Sequence, residues 1–301
     1  MADRRRFPGP ENRNRVIALL ALFAGATAIA SSALFVKVSE TGPVSTAFWR
    51  VFLALPLLWA WALAGGWQLH AGNYRGRRGL MWAAGLFFVG DLAVWHWSIV
   101  LTSVANATLL ANLAPIFVTL AAWLMFRQAP TGLFLTGLAF ALAGMAFLIG
   151  GDFQMAGGAL LGNILGVITA MFYAGYQMVV TRLRAGVSTA SIMAWSSAIT
   201  TVVLLPLALA SGEQFLPVSF MGWIKLLGLA LISQVAGQSL IAYAMAHLPA
   251  TLSSVALLLQ PVIAALLAAV LLGEAMYPLQ IAGGVMMLIG IGIAHQGQRR
   301  L

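Results

Sequence analysis

Residues 104–126 read VANATLLANLAPIFVTLAAWLMF, and residues 251–272 read TLSSVALLLQPVIAALLAAVLL. Neither stretch holds a charged side chain, and each carries one proline, Pro115 and Pro261, 146 positions apart. A bilayer core about 30 Å thick is crossed by roughly 20 apolar residues in α-helix, so either stretch can span it. Outward from these two, similar runs lie at 16–36, 45–64, 80–101, 132–150, 158–181, 188–210, 221–246 and 279–296. The expectation is ten membrane spans, joined by loops too short to hold a soluble catalytic domain. Function must then reside between helices.

Composition agrees. Of 301 residues, 61% are apolar and 8% charged, about a third of the charge a soluble domain carries. The net charge of +9 is better assigned to a membrane surface than to nucleic acid. There is no cysteine, so disulfides and thiolate metal sites drop out. Alternate loops differ sharply in sign. Arg4, Arg5, Arg6, Arg13, Arg15, Arg75, Arg77, Arg78, Arg127, Arg182, Arg184, Arg299 and Arg300 fall on one side, against Lys37, Arg50 and Lys225 on the other. Because cytoplasmic loops collect Lys and Arg, both termini are expected in the cytoplasm of a bacterium, with the chain in its inner membrane. The basic N-terminus and first apolar run have the outline of a signal peptide, but the run exceeds a typical h-region.

The chain repeats itself. Gly137 and Gly283, and Gly144 and Gly290, share the 146-residue offset of the prolines. The tetrapeptide Val-Ser-Thr-Ala occurs at 44–47 and 187–190, and Gly79 with Gly222 and Gly85 with Gly228 share that offset of 143. Five spans per copy is an odd number, so the second copy enters the membrane from the opposite side. The expected fold is an all-α integral membrane protein of ten transmembrane helices, arranged as two inverted five-helix repeats (16–150 and 151–296) between tails 1–15 and 297–301. Inverted repeats are typical of secondary transporters with a site at mid-membrane.

The segments Phe35-Val36-Lys37, Gly42-Pro43 and Ala47-Phe48-Trp49-Arg50, with the fourth span from Thr102 to Pro115 and its counterpart from Ala250 to Pro261 and Gly273-Glu274, resemble the EamA type of the drug/metabolite transporter superfamily. The resemblance covers about residues 16–296, and within the family the chain looks most like the YddG amino-acid exporters. It departs from many members at Phe126-Arg127-Gln128, where they carry Glu. The first span offers Thr27, Ser31 and Ser32 in place of the Glu that small multidrug relatives use for proton coupling, so that mechanism does not carry over.

An ionisable side chain at bilayer depth is expensive and therefore a site candidate. Asp91 is the only acid well inside a span. Helical spacing puts Asp91, Trp95, Ser98 and Thr102 on one stripe, and the 143 offset maps Asp91 onto Gln234 and Trp95 onto Gln238. Tyr173 and Gln177 share a face of the sixth span. These residues, Asp91, Trp95, Ser98, Tyr173, Gln177, Gln234 and Gln238, are the candidate substrate contacts, with interhelical bonding as the competing reading. Pro115 and Pro261 are candidate gating bends, since each frees a carbonyl at matching depth. His96 is either a titrating group or a buried hydrogen-bonding one. Arg50 is expected to snorkel to a headgroup or to Glu40 near the outer end of its span. Glycines 132, 137, 144, 283, 284, 290 and 292 are expected to let helices pack closely.

No Gly-x-x-x-x-Gly-Lys motif precedes a lysine, no second acid lies at depth, and the histidines do not assemble a zinc or haem site. The expected protein is therefore no enzyme, holds no metal or cofactor, and acts as a monomer among lipids without nucleic acid. It is expected to export a small-molecule substrate by alternating access. The resemblance implies amino acids or related metabolites; the alternatives are a drug or other metabolite exporter, or a channel.

Overall fold

A computed structural model describes residues 10–64, 77–102, 104–127, 129–149, 159–272 and 277–298. Among these, nine helices are long and apolar enough to cross a membrane, and Gly132–Leu148 is a shorter apolar one, which gives the ten expected spans. The tails beyond residues 10 and 298, Arg75, Asp152, Gln128 and Glu274 lie outside the described residues, as do the side chains of His96 and Asn106.

Five spans are interrupted, at physically legible points. The first consists of Pro10–Ala30 and Ser32–Lys37, and the second of Pro43–Phe52 and Leu55–Ala64. The fourth pauses between Val104–Ala111 and Ala114–Phe126, and the ninth between Ala250–Ala256 and Leu259–Leu272. Those two pauses fall just before Pro115 and Pro261, because a proline cannot donate to the preceding turn but fits the first turn of a new helix. The eighth runs as α-helix over Phe220–Gly228, widens to a π-helix over Leu229–Gly237, and resumes over Gln238–Ala244. The third (Arg78–Leu101), fifth (Gly132–Ile149), sixth (Ala159–Arg184), seventh (Thr189–Ala210) and tenth (Pro278–Gln298) are unbroken.

Packing follows a two-fold exchange of the halves. The first span packs on the eighth and ninth; correspondingly, the sixth packs on the third and fourth. The second meets the seventh and the fifth meets the tenth, pairs that the exchange maps onto themselves. The fifth–tenth contact shows this at atomic scale. A Cβ on Gly137 would lie 2.6 Å from the carbonyl oxygen of Gly290, and one on Gly144 at 2.6 Å from that of Gly283; the reverse approaches are 2.7 and 2.6 Å. Partners whose numbers fall on one helix as they rise on the other are antiparallel, as inverted copies require. Gly132 and Gly292 face open space instead and take no part in this packing.

One pair of contacts breaks the symmetry. Ala250–Ala256 packs on Ala114–Phe126, at the end of the bundle where the termini lie. The symmetry-related halves, Val104–Ala111 and Leu259–Leu272, form no such interface among the described residues. At that opposite end, the loops after the first and seventh spans are tied together. Gly42 N–H donates to the Gln214 carbonyl at 3.0 Å, Trp49 Nε1 to Phe215 O at 2.7 Å and Lys225 Nζ to Val38 O at 3.0 Å.

The exterior is apolar. Leu124, Val202 and Val270 are 68%, 72% and 79% exposed, which in water would be costly and in lipid is not.

Candidate functional site

Six spans deliver polar side chains to one interior region. Arg50 Nε, on the second, donates to Gln234 Oε1, on the eighth, at 3.1 Å, and Gln234 Nε2 donates to Ser197 Oγ, on the seventh, at 3.1 Å. Gln234 is 1% exposed and Ser197 is buried completely, so this chain of bonds is fixed by its surroundings. Asp91, on the third span, and Tyr173 and Tyr176, on the sixth, stand close enough to Arg50 to act on it electrostatically. The Gln260 amide of the ninth span lies beside Tyr173. Tyr176 is stacked on Phe88, ring centroids 4.9 Å apart, and Ser196 lies beside it.

Arg50 is the correction to the sequence reading. It neither snorkels outward nor meets Glu40; it turns inward to Gln234 and Asp91. Its physical reason is Glu40's other commitment, since that carboxylate accepts from the N–H groups of Val218 and Ser219 and from the Ser219 hydroxyl. Position along the span suggested an interface residue, and only the packing of the eighth span against the second shows otherwise.

The predicted stripe on the third span divides. Asp91 reaches the centre, and Trp95 is half-buried one turn beyond it. Ser98 is fully buried, and its hydroxyl donates to the Gly162 carbonyl at 2.7 Å; Thr102 donates to Asn163 Oδ1 at 2.9 Å. These two bond the third span to the sixth, where Gly162 and Gly166 allow the close approach. The Gly162/Gly166 spacing was the available signal for that. Gln238 is 4% exposed at the end of the π-helix. Gln177 is 1% exposed, and neither of its amide atoms has a hydrogen-bond partner. The π-helix carrying Gln234 is backed by the first span: Ser233 Oγ donates to Ala28 O at 3.0 Å, and a Cβ on Gly25 would lie 2.9 Å from Gly237 O. Such windings occur often at functional sites.

Among the described residues no group of three or more His, Cys, Asp or Glu could hold a metal ion. What the centre can do is hold a small polar solute, with one cation, one acid, amides and phenols set among apolar walls.

The model of the EamA-like transporter family matches residues 16–150 and again 160–294, and the chain belongs to that family. An uncharacterized transporter of Archaeoglobus fulgidus is 26% identical over 280 residues, covering 90% of this chain and 94% of that protein. A Streptantibioticus cattleyicolor protein described as a probable terminal-alkyne amino-acid exporter is 27% identical over 210 residues, covering 68% of this chain and 69% of its own. A crystal structure with 19% identity superposes with a TM-score of 0.80 over 95% of this chain and all of its own, which supports the fold alone. The chain is a multi-pass membrane protein of a transporter family, built of two EamA copies.

Proposed function

We propose that the protein exports amino acids or related small zwitterionic metabolites across a bacterial inner membrane by alternating access, with both termini in the cytoplasm. The observation that carries this reading is the convergence of Asp91, Arg50, Gln234 and Tyr173 from both repeats on one interior region, where Gln234 is buried and the other three are partly exposed. A zwitterion needs an acceptor for its ammonium, donors for its carboxylate and apolar walls for its side chain, and this region supplies all three. The likeness to a described amino-acid exporter supports the substrate class. The contrast between the packed and unpacked halves of the fourth and ninth spans supports alternating access, since a carrier is closed at one end while open at the other.

Counterflow in proteoliposomes with a panel of labelled amino acids tests the proposal. Saturable uptake accelerated by unlabelled amino acid inside is expected. Flux of drugs or other metabolites unaffected by amino acids would move the substrate class, and non-saturable flux would favour a channel. A reporter fused at Leu301 tests orientation; activity of a periplasmic reporter there would overturn it.

A further inference from the structure

We propose that Arg50 and Asp91 are matched charge receptors: Arg50 takes the carboxylate and Asp91 the ammonium of an amino acid that binds between them. This rests on the amino-acid reading above and adds to it the residues that set selectivity for zwitterions over single charges.

The argument starts from cost. A lone charge in an apolar interior is strongly disfavoured, and two opposite charges offset one another only when near and well hydrogen-bonded. Arg50, bonded to Gln234, and Asp91 lie on spans that pack together, close enough to act on one another, and their formal charges are opposite. The remaining charged side chains of the described residues stand near span ends or in loops, as with Lys225 at the Val38 carbonyl. The two charges offset one another in part, and a solute bearing both signs would complete the pairing.

Geometry assigns the roles. Gln234 accepts from Arg50 Nε and is itself held by Ser197, which fixes the plane of the guanidinium. A planar fork so oriented suits a carboxylate. Asp91 can only accept, which suits an ammonium. A zwitterion entering between them supplies each with its complement, and the site stays neutral before and after binding. An amine lacking the carboxylate would leave the site with one excess positive charge, and an acid lacking the amine with one excess negative charge. Either excess would be buried. Gln234 is a positioning residue in this arrangement.

The test uses the full chain in proteoliposomes. Alanine, leucine and phenylalanine are compared by counterflow, and the one carried fastest is matched with its decarboxylated amine and its deaminated acid as competitors. The intact protein is expected to bind both analogues at least about tenfold more weakly than the amino acid. Arg50→Gln should weaken the amino acid by a similar factor while the amine binds at least as well as to the parent, since its charge is then matched by Asp91; Asp91→Asn should weaken the amino acid while the acid binds at least as well as to the parent. Equal loss of all three ligands in either variant would overturn the assignment, as would analogues that compete as well as the amino acid on the intact protein. That last comparison needs no variant, so it decides the matter even if a substitution prevents folding. If none of the three amino acids is carried at all, it is the underlying functional reading that fails.

Discussion

Glu213, in the loop after the seventh span, accepts the backbone N–H of Val44, in the first turn of the second, at 2.9 Å. It reaches Ser45 N–H at 3.4 Å as well. The relation is reciprocated, because Glu40, in the loop after the first span, accepts from Val218 and Ser219 at 3.0 and 2.9 Å, at the start of the eighth. Each carboxylate lies against a glycine: a Cβ on Gly42 would lie 2.6 Å from Glu213 Cδ, and one on Gly222 at 2.5 Å from Glu40 Oε2. Helix starts leave N–H groups unpaired and carry partial positive charge, so an acid there is favourable. The two repeats are clasped at the end opposite the termini.

Removing one half of the clasp should loosen it. Glu213→Ala is expected to cost about 0.5–2 kcal/mol, the usual range for a lost helix cap, and to lower the Tm of detergent-solubilised protein. A Tm equal to the parent's would mean that water replaces the carboxylate at no cost.

Glu40 gives the clasp a pH dependence. The Ser219 hydroxyl first and the Ser219 N–H next, with lesser help from the Val218 N–H and the Lys225 ammonium, hold its carboxyl below the ordinary range, against an opposing desolvation that is weaker than either Ser219 contact. A group whose folded value is depressed contributes stability above its unfolded value and loses it as pH falls through the folded one. The Tm gap between parent and Glu40→Gln should thus stay constant from about pH 7 to about pH 5 and close only below about pH 4. A gap that already closes near neutrality would contradict this.

The glycines of the fifth and tenth spans separate into two kinds that a sequence does not distinguish. Gly144→Val puts side-chain atoms into the backbone of the tenth span and should sharply reduce folded yield. Gly132→Ala and Gly292→Ala meet nothing within 4 Å and should be neutral or stabilising by about 0.5–1 kcal/mol through helix propensity. Equal damage from all three would refute the self-complementary contact.

The spans, the repeat and the proline breaks were legible because each is a local or periodic property: length of apolar run, constant offset, a missing N–H. The site was legible only in part. Asp91 and Gln234 stood out because polarity in lipid is rare, and the offset related them. Arg50 did not, since its direction depends on the eighth span packed against its own, whose Gln234 lies 184 residues away. Ser98 and Asp91 share a helical face by spacing, yet one bonds a neighbouring backbone and the other reaches the centre. Periodicity gives the face of a helix but not the distance to whatever stands opposite.

Pro115 and Pro261 begin the second halves of broken helices at equivalent positions, and both are buried. If the pauses at residues 112–113 and 257–258 are where the fourth and ninth spans bend, Pro→Ala at either site lets the helix close through. Slower counterflow with little loss of folded protein is the expected outcome. Unaltered flux in both variants would reassign the prolines to packing.

Gln177 offers the sharpest contrast between stability and function. An amide buried without partners costs about 1–3 kcal/mol of unmet desolvation, and leucine has nearly its shape with none of that cost. A residue kept for folding alone would gain nothing from remaining polar there. Gln177→Leu is therefore expected to raise Tm, and, if the proposed function holds and the amide serves the carried solute, to raise the apparent KM as well. Tm and counterflow on the same preparation separate the outcomes. A lower Tm would show that the amide supports the fold, and a higher Tm with unchanged transport would remove Gln177 from the binding region.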